Sequence, residues 1–192
     1  SGTVLLNNKD ITNVKRNKLK EIYKDIQMVF QDAIGSFNPR FTIEESIMEY
    51  VCNLCSTTEA DKKHKVDNLL RMVGLSKEYK YRYPHELSGG QCQRAAIARA
   101  LSAHPKILVC DEATSALDVS VQAQIVELLK EMQEKMNISY LFITHDLALV
   151  SSFCDRVAVM KNGKIVEVGD AKEVINNPKD EYTKLLIKSA YF

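Results

Sequence analysis

Long apolar runs are missing from this sequence of 192 residues. None of its apolar stretches could span a bilayer, and its first residues lack the charged start and long apolar core of a signal peptide. An excess of charge of one sign is also missing, because 26 Lys and Arg balance 25 Asp and Glu. The composition therefore predicts a soluble, intracellular globular domain, with no general reason to bind nucleic acid or an anionic membrane.

Cysteine gives no sign of a disulfide framework. The sequence has five cysteines, an odd number, and reduced thiols fit a cytosolic protein. Cys52 and Cys55 have the spacing of a metal-ligand pair, but no second Cys or His pair follows at zinc-finger spacing. Packing or incidental roles are therefore favoured over a metal site for these two residues.

A glycine-rich phosphate loop is the third absence. No segment has the form Gly-x-x-x-x-Gly-Lys-Ser/Thr, whose backbone N–H groups cradle nucleotide phosphates. A chain without this loop carries at most part of a site for a nucleotide.

Apolar segments of strand length alternate with longer segments of helical spacing, which predicts an α/β fold with a parallel sheet. The predicted strands cover 3–6, 27–30, 107–110, 140–143, 156–160 and 165–168, and Asn162-Gly163 predicts a hairpin between the last two. The predicted helices include 43–54, 60–73, 77–81, 170–175 and 182–187. No strand is predicted between Gln31 and Leu87. We therefore expect an α-helical subdomain at 32–86, inserted into a core made of 1–31 and 87–192.

A pair of glycines opens a predicted helix at Ser88-Gly89-Gly90-Gln91. The glycines have no side chain to obstruct a phosphate, and residues 91–103 are mostly strong helix formers. The free N–H groups and the positive end of the helix dipole favour an anion, while the Ser88 hydroxyl can cap the helix or donate to a ligand. A plain Ser N-cap followed by turn glycines is the alternative interpretation.

Polar side chains follow three of the predicted strands. Asp111 and Glu112 end the apolar strand 107–110, Gln31 follows 27–30, and His145 comes shortly after 140–143. Parallel strands bring their carboxyl ends to one edge of the sheet, where ligands of α/β proteins bind. Taken one by one, the acidic pair could also be a solvated turn and the histidine a structural residue.

In chain order these motifs resemble those of ATP-binding-cassette ATPases. The order is glutamine, Leu-Ser-Gly-Gly-Gln, acidic pair, Ser-Ala-Leu-Asp and histidine, and it extends over residues 27–146. The resemblance implies a RecA-like P-loop NTPase core, here incomplete and lacking the P-loop strand, with ATP and Mg²⁺ as cofactors. It assigns Mg²⁺ binding to Asp111 and Gln31 and general-base catalysis to Glu112. It also assigns contact with the attacking water to Gln31 and γ-phosphate contact to His145, so that Glu112, Gln31 and His145 are the implied catalytic residues.

The same resemblance gives the glycine turn a role in a dimer. In this family two ATPase subunits sandwich two ATP molecules, so Ser88, Gly89, Gly90 and Gln91 would face the ATP of a partner subunit. Asp118 ends the Ser-Ala-Leu-Asp motif, the D-loop that lines the subunit contact. A helix N-cap at Asp118 is the alternative, and both roles can hold together.

Further segments resemble the ATP-binding subunits of bacterial oligopeptide and dipeptide importers; they lie at 29–32, 36–40, 87–101, 115–124, 177–178 and 182–186. Nickel and glutathione importers share most of these segments, so the solute stays open. The resemblance implies a peripheral protein on the cytoplasmic face of the cell membrane. Its implied partners are a second ATP-binding subunit, transmembrane permease subunits and, indirectly, an extracytoplasmic substrate-binding protein. A silent module that only lends its glycine turn to a partner is the alternative.

Residues 1–11 resemble the family segment that follows the P-loop and its helix. We expect a truncated chain rather than a natural form without the loop, because Glu112 and His145 are intact. Such a chain would bind Mg-ATP weakly and hydrolyse none, while the intact protein would be an ATPase. Two exposed strand edges would favour dimerisation or strand exchange.

Overall fold

The computed structural model describes residues 2–54 and 59–190. The chain divides into two compact units, Ser1–Ile143 and Thr144–Phe192. Cys52 is exposed on a helix, whereas Cys55 lies outside the described residues. The division into a helical subdomain at 32–86 and a core at 1–31 and 87–192 stays a prediction.

A parallel sheet of three strands lies in the first unit, in the order β3-β4-β5. These strands are β3 (Ile26–Val29), β4 (Ile107–Asp111) and β5 (Ser139–Ile143). In the register, Val29 pairs with Cys110 and Asp111 pairs with Ile143, so all three strands end at the same edge. The parallel pairing predicted from the sequence is confirmed for these strands.

The first predicted strand is shorter than expected and pairs differently. In place of a strand over 3–6, β1 (Leu5–Leu6) pairs antiparallel with β2 (Lys9–Asp10), which the sequence did not predict. Asn7 and Asn8 form the turn at positive φ, a conformation that asparagine tolerates well. A local turn signal, rather than a long-range sheet, therefore determines this segment.

The remaining elements of the first unit are helical. They are α1 (Arg16–Asp25), α2 (Ile43–Leu54), α3 (Glu59–Met72), two 3₁₀ turns (Lys77–Tyr81 and Pro84–Glu86), α4 (Gly89–Leu101) and α5 (Val119–Met136). The helices predicted at 43–54, 60–73 and 77–81 are confirmed to within one residue. Thr42 and Glu45 start α2 with a reciprocal capping box, in which each side chain accepts the other residue's N–H at 3.2 and 2.7 Å.

The core of the first unit is built from regularly spaced apolar side chains. On α2, Ile43, Ile47 and Val51 recur every four residues and are completely buried. Similar fully buried side chains come from the neighbouring elements: Leu70, Ile97, Leu101, Leu108, Ile125 and Leu129. Burying each side chain of this size contributes about 1.5–3 kcal/mol. This core therefore stabilises the parallel sheet whose strand ends carry the polar residues. Among the described residues, no helix combines the length and the apolarity needed to cross a bilayer.

The second unit is a hairpin with three helices. Its elements are α6 (Leu147–Phe153), β6 (Arg156–Lys161), β7 (Lys164–Asp170), α7 (Ala171–Asn176) and α8 (Glu181–Ala190). The turn has positive φ at Asn162 and Gly163, as the Asn-Gly pair predicts. Val150, Ala171 and Ile175 form its small buried cluster.

Candidate functional site

The edge of the parallel sheet brings two predicted site residues into contact. Gln31 follows β3 and Glu112 follows β4, and the Gln31 Nε2 donates to Glu112 Oε2 at 2.7 Å. The same nitrogen lies 3.3 Å from the Ser115 hydroxyl. Because β3 and β4 are parallel neighbours, residues far apart in the sequence meet where the strands end.

Glu112 has a backbone conformation that is rare for a residue with a side chain. Its φ of 45° lies in the left-handed region, which costs an L-residue about 1–2 kcal/mol. Hydrogen bonds on both sides hold it there: its N–H donates to the Ile143 carbonyl at 2.9 Å, and its carbonyl accepts from the Ser115 hydroxyl at 2.9 Å. Backbone strain of this kind concentrates at functional sites.

The oxygen atoms at this edge suit a hard cation. Asp111 is half-buried at the end of β4, next to Glu112. The amide N–H of Gln31 is used on Glu112, which leaves its carbonyl oxygen as the end that can meet a metal or a water. No group of three or more His, Cys, Asp or Glu within the described ranges could hold a metal ion. A Mg²⁺ ion fits such a sparse set only when ligand phosphates supply further oxygens, which is how Mg²⁺ binds with nucleotides.

Ser88 caps the helix that the glycine pair opens. Its hydroxyl accepts the Gln91 N–H at 3.3 Å, and the Gln91 side-chain oxygen accepts the Ser88 N–H at 3.0 Å. The Gln91 amide nitrogen also donates to the Tyr79 hydroxyl at 2.9 Å. The predicted capping role of Ser88 is confirmed, and its hydroxyl hydrogen stays available for a ligand at the surface.

The two glycines of this turn have different surroundings. A Cβ built on Gly90 would lie 2.6 Å from the Val121 side chain on α5, whereas one on Gly89 would meet Leu117 at an ordinary 3.6 Å. Gly89 is exposed and Gly90 is half-buried. Close packing of α4 against α5 therefore requires glycine at position 90, a reason that the sequence did not reveal.

Asp118 is the N-cap of α5. Its carboxylate accepts from the Ser120 hydroxyl at 2.6 Å and from the Val121 N–H at 3.1 Å. These hydrogen bonds, that from Ser120 first, lower the pKa of this exposed carboxyl. The capping alternative is thus confirmed, while the predicted place of Asp118 at a subunit contact stays a prediction.

His145 lies at the start of the second unit, between β5 and α6, and its side chain is exposed. It comes two residues after the end of β5, shortly after a strand as the sequence predicts. Its contact with a γ-phosphate stays a prediction.

Arg99 joins the segment after Gln31 to α4, and the sequence did not single it out. Its guanidinium donates to the Ser36 carbonyl at 2.8 Å and to the Ser36 hydroxyl at 2.9 Å, and it lies 4.2 Å from the Phe37 ring centroid. Burial lowers the pKa of this side chain, which is only 6% exposed. Since the group keeps its charge in any protein, these bonds compensate for its desolvation.

Comparisons with known proteins agree with these motifs. Residues 1–115 match the family model described as ABC transporter. A dipeptide transport ATP-binding protein (DppF) of Lactococcus lactis subsp. cremoris is 47% identical over 189 residues, which cover 98% of this chain and 61% of the relative. An oligopeptide transport ATP-binding protein (OppF) of Bacillus subtilis is 46% identical over 190 residues, which cover 98% and 62%. The chain spans about three fifths of the length of these curated relatives.

A solved structure shares the fold. It is the dimeric structure of a post-hydrolysis state of an ATP-binding cassette bound to ADP and Pi, with a TM-score of 0.78 and 28% sequence identity. The match covers 89% of this chain and 74% of that one.

Proposed function

This chain belongs to the ABC transporter family, and from that membership we propose that the full-length protein is the ATP-hydrolysing subunit of a bacterial oligopeptide or dipeptide importer. The observation that carries the proposal is the contact between Gln31 and Glu112 at the carboxyl edge of the sheet. The names of the dipeptide and oligopeptide relatives support the solute class.

Glu112 is the general base of the proposed reaction. Its carboxylate takes the proton of the water that attacks the terminal phosphate of ATP, a role that contributes about 10²–10⁴-fold to a rate. The hydrogen bond from Gln31 holds the carboxylate in one orientation, and the left-handed backbone at Glu112 fixes where the side chain begins. Asp111 and the Gln31 carbonyl would hold Mg²⁺, which neutralises charge on the phosphates when it is bound.

Ser88 and Gly89 act on a different ATP molecule, one that a second ATP-binding subunit holds. The N–H groups of Gly89 and Gly90, in the first turn of α4, have no helical carbonyl four residues earlier to accept them, whereas the Gln91 N–H donates to the Ser88 hydroxyl. Together with the Ser88 hydroxyl, these groups can donate to phosphate oxygens. A solved cassette of the same fold is dimeric and bound to ADP and Pi, which supports a pairing of two such subunits; we assign Asp118 to the subunit contact.

The remaining partners follow from the transport role. We assign the protein to the cytoplasmic face of the membrane, bound to permease subunits that carry the solute. An extracytoplasmic binding protein would deliver the peptide to those permeases, and the ATP-binding subunit would drive their cycle by closing and opening its dimer.

The proposal is tested with the full-length protein, assembled with its permeases in liposomes. Glu112→Gln should lower ATP hydrolysis by about 100-fold or more, with ATP binding retained, because only the proton acceptor is lost. Uptake of a labelled dipeptide should fall with hydrolysis. Glu127→Gln, which changes an exposed glutamate on α5, is the matched control and should leave both rates unchanged.

Two results would contradict the proposal. An unchanged hydrolysis rate in Glu112→Gln would exclude the general base, and uptake of nickel or glutathione without any peptide would exclude the solute class.

A further inference from the structure

Arg94 bridges three helices of the first unit. Its side chain leaves α4, donates from Nη1 to the Val73 carbonyl at 2.8 Å and donates from Nη2 to the Gln124 side-chain oxygen at 3.0 Å. Val73 directly follows α3, and Gln124 lies on α5. One guanidinium therefore fixes the end of α3 and the first turns of α5 relative to α4.

Glycine packing reinforces the bridge from both sides. A Cβ on Gly90 would lie 2.6 Å from Val121, one turn before the Arg94–Gln124 bond on each helix. Gly74 has a φ of +73°, and a Cβ there would lie 3.0 Å from the Arg94 Nη1. Backbone thus approaches side chain closely at both ends of the contact, which leaves the helices little freedom to slide.

The residues of this contact share one face of each helix. On α4, Gly90 and Arg94 are four residues apart, and on α5, Val121 and Gln124 are three residues apart; Gly89 begins α4, and Leu117 lies just before α5. We call this set the α4–α5 joint; it consists of Gly89, Gly90, Arg94, Leu117, Val121 and Gln124. Its first-turn contacts place the capped N-termini of α4 and α5, at Ser88 and Asp118, beside each other.

We propose that Arg94 and Gln124 are positioning residues that hold the Ser88 turn and the Asp118 turn as one rigid surface. This proposal rests on the proposed function, in which both turns face the partner subunit across the dimer. A partner subunit that binds this surface meets two helix ends at a fixed spacing. The Ser88 turn is then already ordered before the dimer closes. Pre-organisation of this kind lowers the entropic cost of assembling a site.

The first test measures hydrogen exchange in this chain and needs no activity. Gln124→Ala removes the acceptor without disturbing the core, because Gln124 is exposed. The exchange rates of backbone amides should rise about two- to ten-fold in segments 86–91 and 115–121 together. This range corresponds to the net stabilisation from one hydrogen bond. Gln124→Glu keeps an acceptor for Arg94 and should exchange like the unchanged chain.

Gln133→Ala is the matched control for this experiment, since it changes an exposed glutamine farther along α5 and should alter neither segment. Arg94→Ala should raise exchange more than Gln124→Ala, because it also removes the bond to the Val73 carbonyl. Exchange that stays unchanged in both variants, or that rises in one segment alone, would overturn the joint.

The second test separates positioning from simple stability in the full-length protein. Gln124→Ala should lower kcat of ATP hydrolysis about three- to ten-fold while KM for ATP changes less than about two-fold, because the joint does not hold the chain's own nucleotide. Gln124→Glu should restore kcat. An unchanged kcat in Gln124→Ala, or an equal rise in KM, contradicts the positioning role. If the full-length protein without any substitution showed no ATPase activity, the proposed function would be contradicted instead. The hydrogen-exchange experiment would then still test whether Arg94 and Gln124 hold the two turns together.

Discussion

The turn at Ser88 and the sheet edge at Glu112 both present polar groups at the surface of the first unit, yet they are held in different ways. At Ser88 a capping box closes within four residues, and glycine packing against α5 fixes the helix behind it. At Glu112 the backbone is strained, and its hydrogen bonds reach Ile143 at the end of β5 and Gln31 just after β3. Packing determines the first region, whereas long-range hydrogen bonds determine the second.

This difference predicts where stability and activity separate. A change in the packing of α4 against α5 should damage the fold before it damages chemistry, because a close-packed contact cannot relax without moving a helix. A change of the Glu112 side chain that keeps its size should damage chemistry with little loss of fold, since this side chain is only partly buried.

Gly90→Ala is expected to have the largest effect on stability. The new methyl group would lie 2.6 Å from Val121, and overpacking of this kind costs about 1–3 kcal/mol. Gly89→Ala should change the free energy of unfolding by less than about 0.5 kcal/mol, because its nearest side chain is at an ordinary distance. Urea unfolding of the two variants measures the difference.

Val121→Ala provides the control for that comparison. In the Gly90→Ala background it removes the clashing methyl groups and should recover most of the lost stability. Equal stability of Gly89→Ala and Gly90→Ala would show that packing against α5 does not fix the turn.

At Glu112 a smaller effect should reveal the strained backbone. Glu112→Ala and Glu112→Gly both lose the side chain and its bond to Gln31, and they differ only in how they tolerate a φ of 45°. Gly should be more stable than Ala by about 1 kcal/mol, the cost of the left-handed conformation less the entropy of glycine. Thermal unfolding compares the pair, and a more stable Ala variant would contradict the strain.

The smallest effect on stability at neutral pH comes from two cysteine thiols, one on α4 and one on β4. Burial raises the pKa of Cys92 on α4 to about 11 and that of Cys110 on β4 to about 12, from 9.0. Because the pKa is higher in the folded chain, the stability from these neutral thiols is complete below about pH 9 and is lost as the pH rises toward 11 and 12. Unfolding measured from pH 8 to 11 should show this loss, and Cys92→Ala should weaken its dependence on pH. A stability that rises over this range would contradict the burial of the thiols.

Local sequence signals predicted much of this architecture. The apolar period of α2 and the Asn-Gly hairpin gave the observed elements, because each depends on residues close together in the chain. The pattern of apolar segments also predicts Gln31 and Glu112 at the ends of two strands. Because these strands pair in parallel, both residues lie at the same edge of the sheet. In contrast, the contact of Gly90 with Val121 and the Arg94–Gln124 bond join segments that are distant in sequence, and no local pattern encodes how two helices cross. The pairing of β1 with β2 lies outside the prediction, which assigns no turn to Asn7-Asn8.

In the proposed dimer, the Glu112 edge and the Ser88 turn of one chain serve different ATP molecules. The decisive measurement is the ATP-dependent association of full-length Glu112→Gln protein with and without Ser88→Arg, followed by light scattering and ATP titration. Glu112→Gln should form a dimer when ATP is added, because ATP binds but is not hydrolysed. Ser88→Arg should abolish that dimer while the affinity of the monomer for ATP changes less than about two-fold. A dimer that survives Ser88→Arg, or a monomer whose ATP affinity falls with it, would contradict the claim.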